Sequence, residues 1–181
     1  MSRLTIYGDF NCPFSALASA RVDVLLSGGA YAIEWRAIQH DTAIPAIGQT
    51  VEGDLAAALA LEVATIGDLS EQDVRLHLVV PPVRPNTAAA SAAFAAALDD
   101  ADQLRRRLFA AVWAEGRNIG DPAELDRLDA LGRDDAIARR WQREFETLPR
   151  PITPTVVSPD GYVSRGLGAL ARLADLAAVS R

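Results

Sequence analysis

The residues best suited to chemistry in this 181-residue chain stand together near its start, in the run Cys12-Pro13-Phe14-Ser15. Cys12 falls where a short strand pattern gives way to a helix pattern. A thiolate there faces unpaired backbone N–H groups and the positive end of the helix dipole, which predicts easier ionisation than in a free cysteine. Pro13 suits the first helical turn, where its missing N–H costs nothing. Ser15 lies one turn further on, so its hydroxyl reaches the sulfur and can donate to it. The plainer alternatives are a small buried thiol and an ordinary helical serine. Ser15 cannot close a disulfide, so a mixed disulfide on Cys12 would need an external thiol to release it.

What the chain lacks narrows the chemistry further. All 18 side-chain cations are arginine. Without lysine there is no Schiff base and no Walker-type phosphate grip. Two histidines and one cysteine cannot build a zinc site of the usual kind, and a single cysteine forbids an internal disulfide. A net charge of −6 without basic runs argues against a nucleic-acid partner. Arg105-Arg106-Arg107 reads as a solvated helix face. The most apolar stretch, Ala88 to Leu98, is about half a membrane span. Met1 to Tyr7 enters a strand pattern with no apolar leader, which predicts a cytoplasmic protein, and a lone thiol fits that reducing compartment.

Other polar residues carry weaker signals. His40 and His77 read as surface or capping histidines rather than bases. Asp9, as an anion, would raise the Cys12 pKa. Trp35, Trp113 and Trp141 occupy apolar positions and read as core.

The elements that position the thiol follow from periodicity. Leu4 to Gly8 alternates as a strand, a helix runs from Pro13 to the stop at Gly28-Gly29, and Ala30 to Ile38 gives a second strand. A helical block follows. It comprises a helix capped by Asp54 and closed by Gly67, a short one through His77 with Ser70-Glu71-Gln72-Asp73 as its capping box, a proline-rich connector, an alanine-rich helix capped by Asn86 and ending near Asp99, and Ala101 to Glu115. Asp121-Pro122-Ala123-Glu124 starts another helix with cap, proline and glutamate in register. Asp135 to Thr147 is helical, Thr155 to Ser164 forms a hairpin across Pro159-Asp160-Gly161, and Leu167 to Val179 closes the chain as a helix.

Asp9-Phe10-Asn11-Cys12-Pro13-Phe14-Ser15 resembles the active-site segment of the DsbA-like branch of the thioredoxin superfamily. Pro85-Asn86-Thr87 resembles that branch's Asn-Ser/Thr helix start. Phe109 to Leu125 is similar to the helical insert of its FrnE-like and polyketide-associated members, and Thr153-Pro154-Thr155-Val156-Val157 resembles its cis-proline loop. The resemblance implies an α/β, thioredoxin-like fold with an inserted α-helical subdomain. Residues 1–40 and 134–181 would form the core and 41–133 the insert. It further implies a thiol oxidoreductase in which Cys12 and Ser15 act, while Pro13, Phe14, Thr153 and a cis Pro154 shape the site. Family oxidoreductases carry cysteine where Ser15 stands; the related kappa-class glutathione transferases and 2-hydroxychromene-2-carboxylate isomerases carry serine where Cys12 stands. A monothiol enzyme is therefore expected, acting on a small-molecule thiol or a protein disulfide. No metal or tightly bound cofactor is expected; glutathione or another low-molecular-weight thiol would be cosubstrate. A kappa-like transferase or isomerase and a non-catalytic binding protein are the alternatives.

Overall fold

The computed structural model describes residues 2–71, 73–97 and 100–179. Strand β1 (Ser2–Gly8) leads into helix α1 (Pro13–Gly28) and strand β2 (Tyr31–Ala37), which pairs in parallel with β1. The helix starts where proline takes the first position and stops at Gly29, whose φ of 68° lets its N–H bond back to the Leu26 carbonyl. Near the C-terminal end, β5 (Thr155–Val157) pairs antiparallel with β1, and β6 (Val163–Arg165) with β5. The sheet order is β2-β1-β5-β6. Helix α7 (Leu167–Val179) packs on α1.

Between β2 and β5 lie β3 (Gln49–Thr50), α2 (Gly53–Ser70), β4 (Val83–Arg84), α3 (Ala88–Ala96), α4 (Ala101–Trp113), α5 (Pro122–Arg127) and α6 (Asp135–Glu146). This is an α/β thioredoxin-like architecture with a mixed sheet. The apolar core is continuous: Leu4, Ile6 and Val156 of the sheet belong to the same cluster as Ile66, Phe94, Leu108 and Leu125 of the intervening helices. The three tryptophans sit in this cluster. Among the described residues, no helix is long and apolar enough to cross a membrane.

Strand alternation divides β1 and β2 between two sides. Tyr7 and Arg36 point to α6, where the Tyr7 ring lies 5.8 Å from Phe145 and the Arg36 guanidinium pairs with Glu144. Gly8 faces the other way with Trp35. A Cβ on Gly8 would lie 2.3 Å from the Trp35 ring, so only glycine fits that position.

Several local expectations need correction. Helix α2 begins at Gly53, with Glu52 and not Asp54 in the cap position, and continues past Gly67 to Ser70. No helix follows over residues 73–77. The Asp73 carboxylate is held by Arg21 at 2.6 Å, the Val79 N–H is taken by the Trp113 carbonyl, and the segment between them has no regular structure. Gln72 of that proposed capping box lies outside the described residues, as does Asp99 at the expected end of the alanine helix. Thr87 holds the N-cap position of α3, while the Asn86 side chain, as expected of a cap, accepts the Ala88 amide at 3.1 Å. The short pair β3 and β4 had no periodicity to betray it. Within the arginine triplet Arg106 is solvated as expected, but Arg105 is fully buried, 2.6 Å from Asp23, hydrogen-bonded to Ser19, and stacked 5.5 Å over Trp35.

Candidate active site around Cys12

Cys12 occupies the N-cap position of α1 with extended backbone (φ −108°, ψ 118°), and its carbonyl accepts the Ala16 N–H that opens the helix. The loop before it is fixed from several sides. Its amide bonds to the Asp9 carbonyl, the Asn11 side chain donates to the Pro85 carbonyl at 3.1 Å, and the Trp113 indole N–H donates to the Phe10 carbonyl at 2.8 Å. The thiol is half-buried and points to the Thr153 carbonyl, 3.9 Å away. The Thr153–Pro154 bond is cis, and both residues are buried. Ser15 is fully buried beneath the sulfur, where its Oγ accepts the Asp9 N–H at 3.3 Å.

The electrostatics reverse the expectation of a readily ionised thiol. Burial pushes the Cys12 thiol up from its ordinary value, and the Asp9 charge adds to the shift. The hydroxyls of Thr153 and Ser15 and the Ser15 amide pull downwards without cancelling it. Helix-start amides stabilise an anion, but withdrawing the sulfur from water costs more here. Asp9 is itself raised by burial. Its carboxyl accepts three hydrogen bonds, from the Asn11 amide (3.1 Å), the Thr87 hydroxyl (2.8 Å) and the His40 amide (2.8 Å). Asp9 thereby ties together the thiol loop, the end of β2 and the start of α3.

The sulfur opens into a pocket of about 260 Å³. Cys12, Pro13, Phe14, Thr153 and Ile152 form its floor and one side; Leu55, Ala58 and Leu59 of α2 form an apolar wall. Asn11, His40, Glu62 and Arg84 supply polar groups. Arg84, on β4, donates to the Asn11 side chain and to Asp41, both at 3.1 Å. The sequence-expected residues Cys12, Pro13, Phe14 and Thr153 thus share one pocket, with Ser15 buried behind the sulfur. His40 lies in the same pocket while His77 does not. Arg84, Glu62 and Asn11 were not anticipated. The only sequence signal for Asn11 and Arg84 is adjacency to Cys12 and to the Pro85-Asn86-Thr87 segment. The described residues hold no group of acidic, histidine or cysteine side chains that could bind a metal ion.

The model of the DSBA-like thioredoxin domain matches residues 3–140. No curated protein matches the sequence. Among solved structures, a probable DsbA oxidoreductase, SCO1869 from Streptomyces coelicolor, superposes with a TM-score of 0.72 at 17% identity, covering 99% of this chain and 90% of that one. The cytosolic disulfide reductase DsbM from Pseudomonas aeruginosa, solved with GSH, gives 0.69 at 19% identity over 98% and 96%. A 2-hydroxychromene-2-carboxylate isomerase gives 0.64 at 20% identity over 98% and 93%. At such identities the likeness is one of fold.

Proposed function

Because this chain belongs to the family of the DSBA-like thioredoxin domain, we propose that it is an oxidoreductase exchanging thiols and disulfides through Cys12 alone. The observation that carries this reading is the position of the sulfur, at the start of α1 and open to the pocket, with two hydroxyls able to donate to it. Cys12 is the nucleophile and Ser15 hydrogen-bonds its thiolate. Pro13, Phe14, Thr153 and Pro154 shape the surface against which the substrate lies. Residues 1–40 and 134–181 form the catalytic core, and residues 41–133 form an insert that walls the pocket.

The Cys12 thiolate attacks one sulfur of a disulfide, forming a mixed disulfide and expelling the other half as a thiolate that takes a proton from water. A second, external thiolate then attacks the substrate sulfur of the mixed disulfide, regenerating Cys12 and leaving a new small disulfide. Glutathione is a fitting external thiol: DsbM, of the same fold, was solved with it. A reducing cytoplasm would supply such a thiol. Because burial raises the thiol, little thiolate is present at neutral pH, but each thiolate is the more nucleophilic for its basicity.

The raised thiol also favours a second reading, in which a protonated Cys12 donates to the sulfur of a bound glutathione, as in a kappa-like transferase or isomerase. One experiment separates the two. Incubation with glutathione disulfide followed by intact-mass measurement should show one glutathione per chain, lost in Cys12→Ser. Tight binding of reduced glutathione with Cys12 left unmodified would overturn the exchange reading and select the second.

A further inference from the structure

We infer that the pocket in front of Cys12 selects disulfides of amino acids, taking the α-carboxylate on Arg84 and the α-ammonium on Glu62. This rests on the thiol–disulfide reading above and names the substrate class for it. Four ionisable side chains besides the thiol line the pocket, and two of them are free to recognise a ligand. Asp9 is fully buried and occupied by its three donors. His40 is exposed at the rim, its amide bound to Asp9.

Arg84 and Glu62 differ from these. The Arg84 guanidinium is anchored through Nε to Asn11 and through Nη1 to Asp41, and neither bond uses Nη2. It is a fixed donor fork with an edge left over, the arrangement that suits a carboxylate. Glu62 projects from α2 and is half-buried, and among the described residues it has no hydrogen-bond or ion-pair partner. Burial raises its carboxyl, while the Arg84 charge acts on it across the pocket and lowers it. The two opposite charges face one space without closing on each other. A zwitterion satisfies both, whereas a dianion meets Glu62 and a simple diamine meets Arg84, which is discrimination by repulsion as well as attraction. The apolar wall of Leu55 and Leu59 accepts the methylenes between head group and sulfur. A volume of about 260 Å³ admits one half of a small disulfide rather than a folded surface. Attack by the Cys12 thiolate then leaves the amino-acid half bound as the mixed disulfide and releases the other half as its thiolate.

The test measures rate constants for mixed-disulfide formation on Cys12 with four compounds. These are cystine, glutathione disulfide, neutral hydroxyethyl disulfide and dianionic 3,3′-dithiodipropionate. Each rate is divided by that of free N-acetylcysteine with the same disulfide, which cancels intrinsic reactivity. The preference for amino-acid disulfides over hydroxyethyl disulfide should fall about tenfold in Arg84→Gln, the loss of one charge-assisted contact, and recover in Arg84→Lys. Glu62→Gln should lower it too, while raising the relative rate with the dianion. Of the two amino-acid disulfides, the faster identifies the head group as that of a free amino acid or of a γ-glutamyl peptide. If hydroxyethyl disulfide reacts but neither substitution changes the preference, the assignment to Arg84 and Glu62 is overturned while the exchange reaction stands. If the unaltered protein forms no adduct with any of the four, both readings fall.

Discussion

The Ser15 hydroxyl accepts the Asp9 amide at 3.3 Å from beneath the Cys12 sulfur, so its own proton is left to point at that sulfur. One side chain thus supports the backbone at the end of β1 and tunes the thiol at the start of α1. Ser15→Ala removes the donor and should raise the thiol pKa further. The pH dependence of iodoacetamide alkylation would then shift to more alkaline values, and an unchanged profile would show that the hydroxyl faces elsewhere.

The unaltered thiol has its own expected profile. Burial raises it above its ordinary value. Alkylation should therefore climb with a midpoint above about 8.5, the value of an unperturbed cysteine. A midpoint well below that would mean that the helix-start amides outweigh desolvation.

Ser15→Cys places a second thiol one helical turn from the first, within disulfide reach. An internal disulfide should form under oxidising conditions, and exchange turnover with small disulfides should rise, because intramolecular attack replaces attack by a solute. Intact mass in the presence of an alkylating agent reads the first outcome. A bond that forms without a gain in turnover would mean that the pocket does not serve disulfide substrates.

Asp9 makes stability depend on pH with a definite sign. Its pKa is raised in the fold, so the native state binds this proton more tightly than the unfolded chain does. The contribution is fully present below the ordinary carboxylate pKa and is lost as pH rises through the raised value. Asp9→Asn should be the less stable protein by about 1–3 kcal/mol, since an amide cannot accept from all three donors. The gap between the two should narrow as pH rises from the acid side. Urea midpoints at several pH values would test this; a gap that widens would reverse the sign.

Two substitutions probe the packing behind the site. Arg105→Met removes a fully buried guanidinium and its bonds to Ser19 and Asp23. It should cost about 2–3 kcal/mol in chemical denaturation. Gly8→Ala drives a methyl into the Trp35 ring and should cost about 1–3 kcal/mol. A neutral result for either would contradict the packing described.

The parts of this fold that could be read from sequence are those set by neighbouring residues. Pro13 and Gly29 bound α1 through local backbone rules. Asp121 caps α5 by accepting the Ala123 amide, with the cap, proline and glutamate spaced as expected. Asp134 does the same for α6 through Ile137, although only the helix and not its cap was foreseen. The Cys12 to Ser15 segment, lying within a single turn, was legible for the same reason. What escaped depends on distant partners. Thr87 meets Asp9 across 78 positions, and Arg84 meets Asn11 across 73. Nothing near Arg105 distinguishes it from Arg106 and Arg107; its burial comes from Asp23, Ser19 and Trp35 on other elements. The helix start that favours a thiolate is visible in sequence, whereas the burial that raises the Cys12 thiol comes from distant elements and is not.

The 2.8 Å bond from the Trp113 indole to the Phe10 carbonyl runs from α4 to the loop that presents the sulfur. Together with the Asn11 and Thr87 bonds, it secures the thiol loop with residues from the helical segment between β2 and β5. That segment shares one apolar core with the sheet. The loop therefore has no low-energy way to open by itself. In native-state hydrogen exchange, the Asn11 and Cys12 amides should exchange at the rate of global unfolding, not at that of surface fraying. The sulfur of this protein is held as a feature of the whole domain, and its geometry persists for as long as the domain stays folded.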